Sequence, residues 1–250
     1  MPDRALAVVH ANSPRFRARL AAAEAVVARA LARARKPYVA FSGGKDSLAT
    51  AVVVLGQSPD CLLHWSDDEL EYPEAVEMMT VWQSLAGPQL RITKGVARHA
   101  GWFDPWKDRP FWRDPLPGTR RVTLESHEYM ANQGHDLVFT GLRMAENRRR
   151  RDHLARVVAE QGDPTYPAWG GLRCCPLWDW SSDDVWALIL CVGTNGVPYN
   201  RAYDVLDRIH VPEPSQRTGP LPLTPRQHLA DGWPDLLARL EARYGPRWGR

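Results

Sequence analysis

Ser42-Gly43-Gly44-Lys45-Asp46-Ser47 places two glycines, a lysine, a carboxylate and two hydroxyls directly after the apolar run Tyr38-Val39-Ala40-Phe41. A short strand running into a glycine turn, with a helix from about Asp46, presents backbone N–H groups that no Cβ shields. The helix N-terminus behind the turn adds donors and a positive partial charge. Lys45 contributes a point charge, and Ser42 and Ser47 contribute hydroxyl donors. Everything in this string suits a polyphosphate. It is not a Walker A loop, which needs four residues between its first glycine and Gly-Lys-Ser/Thr.

Three other groupings carry chemical potential. Cys174-Cys175 sits just before Pro176, in what reads as a loop. A persulfide carrier or sulfur-accepting thiol would suit that place, and so would plain packing. No second cysteine pair stands at zinc-ligand spacing. Cys61 and Cys191 read as core residues. Arg148-Arg149-Arg150-Arg151 would meet anionic oxygens through guanidinium forks, or form a solvated basic helix face. The aromatic and basic segment from Trp102 to Arg113 fits a lid or docking site better than a base-stacking platform, because it is short. His64, His99, His127, His135 and His153 show no metal-ligand spacing.

These residues need elements to hold them. Ser13-Pro14 reads as an N-cap with proline at the first helical position. Phe16, Leu20, Ala23, Val27 and Leu31 follow at helical spacing to about Arg35. Strands are expected at Tyr38–Phe41, Cys61–Trp65, Leu90–Ile92 and Leu137–Thr140. Helices are expected from Asp46 to Gly56, from Pro73 past Leu85, from Thr123 to Asn132, and from Ser181 through Cys191. Apolar strands alternating with helices imply an α/β fold, a doubly wound parallel sheet covered on both faces. Ligands in such sheets sit beyond the carboxyl ends of the strands. The segments at Ser42, Asp67 and Gly141 each follow a strand, so one cleft would gather them.

The chain has 250 residues, 44% of them hydrophobic, enough for one large α/β domain with an appendage. The division expected is a nucleotide-binding domain over 1–210, with an insertion near 101–118, then a proline-rich connector and C-terminal helix over 211–250. A net charge of +3 does not by itself argue for nucleic acid. Four cysteines do not make a secreted disulfide scaffold. No apolar run is long enough to span a bilayer, so no membrane association is expected. Arg15, Arg17 and Arg19 interrupt any signal-peptide core, and a cytoplasmic location is expected.

Taken together, the motifs resemble the ATP pyrophosphatase and PAPS reductase superfamily (PP-loop, adenine nucleotide alpha hydrolases). The Ser42–Ser47 string is similar to its SGGKDS pyrophosphate loop. Asp67-Asp68-Glu69-Leu70-Glu71-Tyr72-Pro73-Glu74 resembles its D-T-G-x-x-F-P-E segment. Thr140 to Asn147 with Arg150 or Arg151 resembles its G-x-R-x-x-E-S-x-x-R segment. Pro176 to Trp186, followed by Gly196-Val197-Pro198-Tyr199-Asn200, resembles its P-L-x-x-W-x-x-x-D-V-W and P-Y-N block. The resemblance implies a five-stranded parallel sheet in order 3-2-1-4-5, with the nucleotide across the strand ends. It also implies ATP as substrate and Mg²⁺ bridging its phosphates, with Asp46 or Asp68 helping to hold the ion. Ser42, Gly43, Gly44, Lys45, Asp46 and Ser47 would cradle pyrophosphate beside Gly141. Arg143, Arg150 and Arg151 would meet further anionic oxygens. Lys45, Ser42, Asp46 and Arg143 are the catalytic candidates, and Cys174 and Cys175 the sulfur-transfer candidates.

Departures from the family pattern narrow the activity. Sulfonucleotide reductases of this superfamily attack sulfur with a cysteine near the C-terminus, whereas the last cysteine here is Cys191. Cys174-Cys175 follows the G-x-R segment, where the cluster-bearing reductases have their cysteine pair before it, and no distal Cys-x-x-Cys completes four ligands. The expected activity is therefore cleavage of ATP between the α- and β-phosphates, with adenylation of a substrate for sulfur incorporation. The nearest analogy is the PAPS-reductase-like ATP pyrophosphatase of DNA phosphorothioation systems. It would bring DNA, a cysteine desulfurase and other sulfur-modification proteins as partners. The alternatives are a PAPS or APS reductase, and a nucleotide-binding subunit without turnover.

Overall fold

The apolar run before the glycines forms the central strand of a sheet whose neighbours come from distant parts of the chain. The computed structural model describes residues 3–67, 71–94, 127–192, 196–212, 216 and 225–244. Asp68, His99, the insertion near 101–118 with its 102–113 segment, helix residues 123–126 and most of the proline-rich connector lie outside the described residues.

The chain opens with α1 (Arg4–Ala11) and α2 (Pro14–Leu31), then β1 (Pro37–Ala40) and α3 (Lys45–Gln57). Next come β2 (Leu62–Asp67), α4 (Pro73–Ala86) and β3 (Leu90–Lys94). A helical stretch over 127–132 leads into β4 (Leu137–Phe139). Then follow α5 (Arg148–Gln161), β5 (Thr165–Ala168), β6 (Gly171–Cys174) and α6 (Ser182–Cys191). The C-terminal part holds α7 (Ala202–Arg208), α8 (Arg226–Gly232) and α9 (Pro234–Tyr244). Ser13 caps α2 as its type predicts, its Oγ accepting the Phe16 N–H at 3.1 Å.

Among the described residues the sheet has six strands, in the order β3-β2-β1-β4-β6-β5. Five run parallel, and β5 is antiparallel to β6. The expected five-stranded order 3-2-1-4-5 is thus present, with β6 as its fifth strand, and the count is corrected by one added edge strand. The sequence hides this hairpin because Pro167 and the Trp169-Gly170-Gly171 turn interrupt any strand pattern. Proline is tolerated there because β5 lies at the edge. The correction also moves Cys174 from a loop to the last position of β6.

Register decides what each face of the sheet carries. Val39 pairs with Leu63 on one side and Phe139 on the other, and all three point into the main core with α2, α3 and α6. Removing such a large buried side chain costs about 2–5 kcal/mol. The alternate residues Tyr38 and Val138 face the opposite side, where they pack with Met130 of the helical stretch. There the Tyr38 hydroxyl lies 2.6 Å from His127 Nδ1.

Helix α1, which the sequence pattern did not suggest, packs on α6. Asp184 of α6 is fully buried, paired with His10 at 2.8 Å and with Arg19. It also completes a capping box with Ser181. Burial pushes the Asp184 carboxyl up, but the hydrogen bonds from His10 and Ser181 and the charge of Arg19 outweigh it and hold the group below its usual range. In the C-terminal part, α8 and α9 share a second core with Tyr72 and Ala75 of the α4 entry and with Ala202 and Leu206 of α7. Trp233 donates its indole N–H to Glu74 at 2.8 Å. The C-terminal helices therefore hold the Tyr72–Ala75 entry to α4.

Candidate functional site

The strand-to-helix loop is built as its glycines require. Phe41 N–H still donates to the His64 carbonyl at 2.8 Å, and the chain then turns at Gly43 with φ +74°. A side chain at Gly43 would be strained by that φ, and its Cβ would come within 3.1 Å of the Met78 methyl. Gly44 is the N-cap of α3 and offers no side-chain acceptor to the helix. The N-cap residue itself thus puts no side chain on the first turn of α3, which leaves helix N–H groups for other acceptors.

The polar side chains of the loop fold onto one another. Ser42 donates through its N–H and its hydroxyl to Ser47 Oγ, each at 3.1 Å, and Ser47 Oγ donates to the Gly44 carbonyl at 2.9 Å. Lys45 is buried, and its ammonium contacts both carboxylate oxygens of Asp46 at 3.0 and 3.2 Å. The Lys45 backbone N–H donates to the Tyr203 hydroxyl at 3.1 Å. Tyr203 is a site residue that the sequence reading missed. It lies three positions beyond Asn200 of the Pro-Tyr-Asn block, and Trp186 holds its ring edge-on at 5.3 Å.

The segment after β4 closes on this loop from the other side. A Cβ on Gly141 would lie 2.5 Å from the carbonyl carbon and oxygen of Asp46, so the approach admits only glycine. Arg143 Nε donates to Asp46 Oδ1 at 2.7 Å. Its Nη1 donates to the Trp180 carbonyl at 3.1 Å and its Nη2 to Ser182 Oγ at 3.4 Å. Arg143 is only 2% exposed. It ties the phosphate-type loop, the 140–146 segment and the start of α6 together.

The remaining candidates lie at different depths. Arg150 is half-exposed and paired with Glu146, while Arg151 is exposed at the start of α5. Cys174 and Cys175 are fully buried. Thr140 Oγ1 lies 3.3 Å from Cys175 Sγ, and burial pushes both thiols well above their ordinary range. Asp68 lies outside the described residues. Among the described residues, no cluster of three His, Cys, Asp or Glu side chains could hold a metal. No helix among them is long and apolar enough to cross a membrane. Two grooves, of about 460 and 580 Å³, flank α1 and include no residue of the loop.

A parallel sheet with a glycine loop at the end of its central strand, and an arginine and a glycine converging on that loop from the next strand, defines the adenine nucleotide alpha hydrolase-like class. Residues 36–205 match the phosphoadenosine phosphosulfate reductase domain, and the chain belongs to that family. No curated protein matches the sequence. Among solved structures the chain is similar to the phosphoadenylyl-sulfate (PAPS) reductase of Candida auris in its phosphate complex. Identity is 18%, the TM-score 0.53, and the match covers 74% of this chain and 84% of that one. It is also similar to the FMN adenylyltransferase of Candida glabrata, at 12% identity and a TM-score of 0.50, covering 80% of this chain and 65% of that one. At these identities the likeness shows the fold.

Proposed function

We propose that this protein is an ATP pyrophosphatase that adenylates an acceptor for sulfur incorporation. The observation that carries the reading is the glycine turn at Gly43 and Gly44 running into the N-terminus of α3, with the Lys45 ammonium beside it. Phosphate oxygens would accept from the loop N–H groups and from the Ser42 and Ser47 hydroxyls. They would compete with Asp46 for the Lys45 ammonium, and Arg143 would keep Asp46 in place as that contact is exchanged. Arg150 and Arg151 stand at the end of α5 nearest Arg143 and would meet further anionic oxygens.

An acceptor oxygen attacks the α-phosphorus, the bond from that phosphorus to the bridging oxygen breaks, and pyrophosphate leaves. A sulfur nucleophile then displaces AMP from the adenylated acceptor. The protein contributes positioning and charge stabilisation to both displacements. The Asp46 carboxylate is already engaged by Lys45 and Arg143, so Asp46 fits poorly as a Mg²⁺ ligand. Mg²⁺ would arrive on the phosphates with most of its own waters.

The proposed acceptor is a DNA backbone phosphate. Because Cys174 and Cys175 are buried with raised pKa values, sulfur is proposed to come from a partner such as a cysteine desulfurase. The family match supports a second reading, reduction of a sulfonucleotide. That route needs a reactive, accessible thiol; Cys174 and Cys175 are buried, and Cys191 at the end of α6 is only partly exposed, with burial raising its thiol. Lys45→Ala and Ser42→Ala test the reading. Turnover of ATP should fall by roughly two orders of magnitude; unchanged nucleotide binding and turnover in Lys45→Ala would remove the loop from the account. Sulfite released from PAPS with thioredoxin would favour the second reading.

A further inference from the structure

Positive charge collects where α5 meets the β5–β6 hairpin, at the sheet edge opposite β3. Arg149, His153 and Arg156 are spaced to share one face of α5. Arg156 Nη2 lies 3.5 Å from His153 Nδ1. The His153 ring meets Tyr166 of β5 edge-on at 5.2 Å. Arg173 of β6 stands opposite Tyr166 in register and donates to its hydroxyl at 3.4 Å. Its guanidinium carbon lies 3.6 Å from the centre of the Trp169 ring.

Asp152 and Glu160 lie along the same helix, yet neither is ion-paired to Arg149 or Arg156. The neighbours of the cluster are neutralised, Arg148 by Asp152 and Arg150 by Glu146. Among the described residues no carboxylate stands within ion-pair distance of Arg149, Arg156 or Arg173. Arg173 Nε is buried without a hydrogen-bond acceptor. Burial, then the charges of Arg156, Arg173 and Arg149, hold His153 below its ordinary range. A buried guanidinium N–H without an acceptor, amid like charge, is costly until an anion meets it.

We propose that this face of α5 and the β5–β6 hairpin binds the phosphate backbone of duplex DNA. Guanidinium forks match phosphate oxygens. Arg149 and Arg156 are both exposed and stand about 10 Å apart along the helix axis, farther than one phosphate reaches. A chain of phosphates fits that spread better than a single ion does. Tyr166 and Trp169 are half-buried beside Arg173, so guanidinium groups rather than ring faces meet the partner. That arrangement suits a paired backbone more than unstacked bases. The face also leads to the site, since Arg150 pairs with Glu146, Glu146 accepts the Arg143 N–H at 2.8 Å, and Arg143 holds Asp46. The inference deepens the proposed function by giving the acceptor a docking face, and it rests on that reading only for choosing DNA over RNA.

The test is fluorescence anisotropy of a labelled DNA duplex, without nucleotide, at about 50 mM salt and upward. The full-length protein should bind, and Arg149→Ala/Arg156→Ala should weaken binding at least tenfold and shallow the salt slope by about two. Arg33→Ala, on an exposed residue after α2, should bind DNA as the parent does. ATP titration should be unchanged in the double variant. No binding by the parent, equal binding by the double variant, or tighter binding of duplex RNA or of polyglutamate would overturn the proposal. ATP cleavage to AMP without DNA binding would sink this inference and the DNA acceptor with it, and leave the ATP pyrophosphatase reading standing.

Discussion

Arg143 Nε donates to Asp46 Oδ1 at 2.7 Å across 97 residues of sequence. This contact makes the strand-four segment part of the phosphate-type loop. Arg143 serves as a positioning residue: its other nitrogens are spent on Trp180 and Ser182, and it fixes the carboxylate that holds Lys45. Arg143→Ala leaves Asp46 with Lys45 alone and the Trp180 carbonyl without its donor, and should cost about 1–3 kcal/mol of stability. A double-mutant cycle with Asp46→Asn, read by denaturant unfolding, should show a coupling of about 1 kcal/mol or more. Additive losses would mean that the two side chains do not work as a pair.

Gly141→Ala places a methyl 2.5 Å from the Asp46 carbonyl, and backbone rather than a flexible side chain stands in its way. The first turn of α3 must shift. We expect a loss of about 1–3 kcal/mol and weaker ATP binding, measured by thermal unfolding and calorimetry. An unchanged melting temperature with unchanged affinity would show that the loop and the 140–146 segment do not touch as described.

The buried cysteines should resist modification. In the native protein an alkylating reagent should reach the partly exposed Cys191 before Cys174 or Cys175, as mass spectrometry of the labelled peptides would show. Replacing both residues with serine should leave ATP binding in place. If Cys174 or Cys175 is labelled first, and ATP slows the reaction, sulfur chemistry returns to the pair.

Acid should destabilise the fold before its carboxylates titrate. Burial, the Arg91 charge and His135 lower His64 to about 4. Burial, Arg173 and His64 lower His127 to about 3, and burial together with Lys36 lowers His135. The folded state therefore binds these protons less readily than the unfolded chain, whose histidines titrate near 6.5. Stability is full above pH 6.5 and falls as pH drops toward 4, by roughly 3 kcal/mol for His64 alone. Asp136 and Asp184, both held below 3.8, contribute their losses only at lower pH. Denaturant midpoints measured from pH 7 to 4 should decline steadily. A flat profile would mean that the histidines around Tyr38 are hydrated.

The parallel core was legible because its strands are short apolar runs and its helices have caps and 3.6-residue periodicity, as at Ser13 and Ser181. The Ser42–Ser47 loop was legible because glycines at a strand end have few other uses. The hairpin Thr165–Cys174 was not, since an edge strand containing Pro167 breaks the pattern that marks buried strands. The burial of Arg143 was also hidden: the sequence shows a guanidinium, and only tertiary contact shows that Asp46, Trp180 and Ser182 satisfy it. Tyr203 gave no signal beyond its place after the Pro-Tyr-Asn block.

The most direct test of the account is the identity of the products formed from ATP labelled at the α- and γ-phosphates, with Mg²⁺, duplex DNA and a sulfide source present. The account predicts labelled AMP and labelled pyrophosphate in equal amounts, and their loss in Lys45→Ala. ADP and orthophosphate as the products would contradict it.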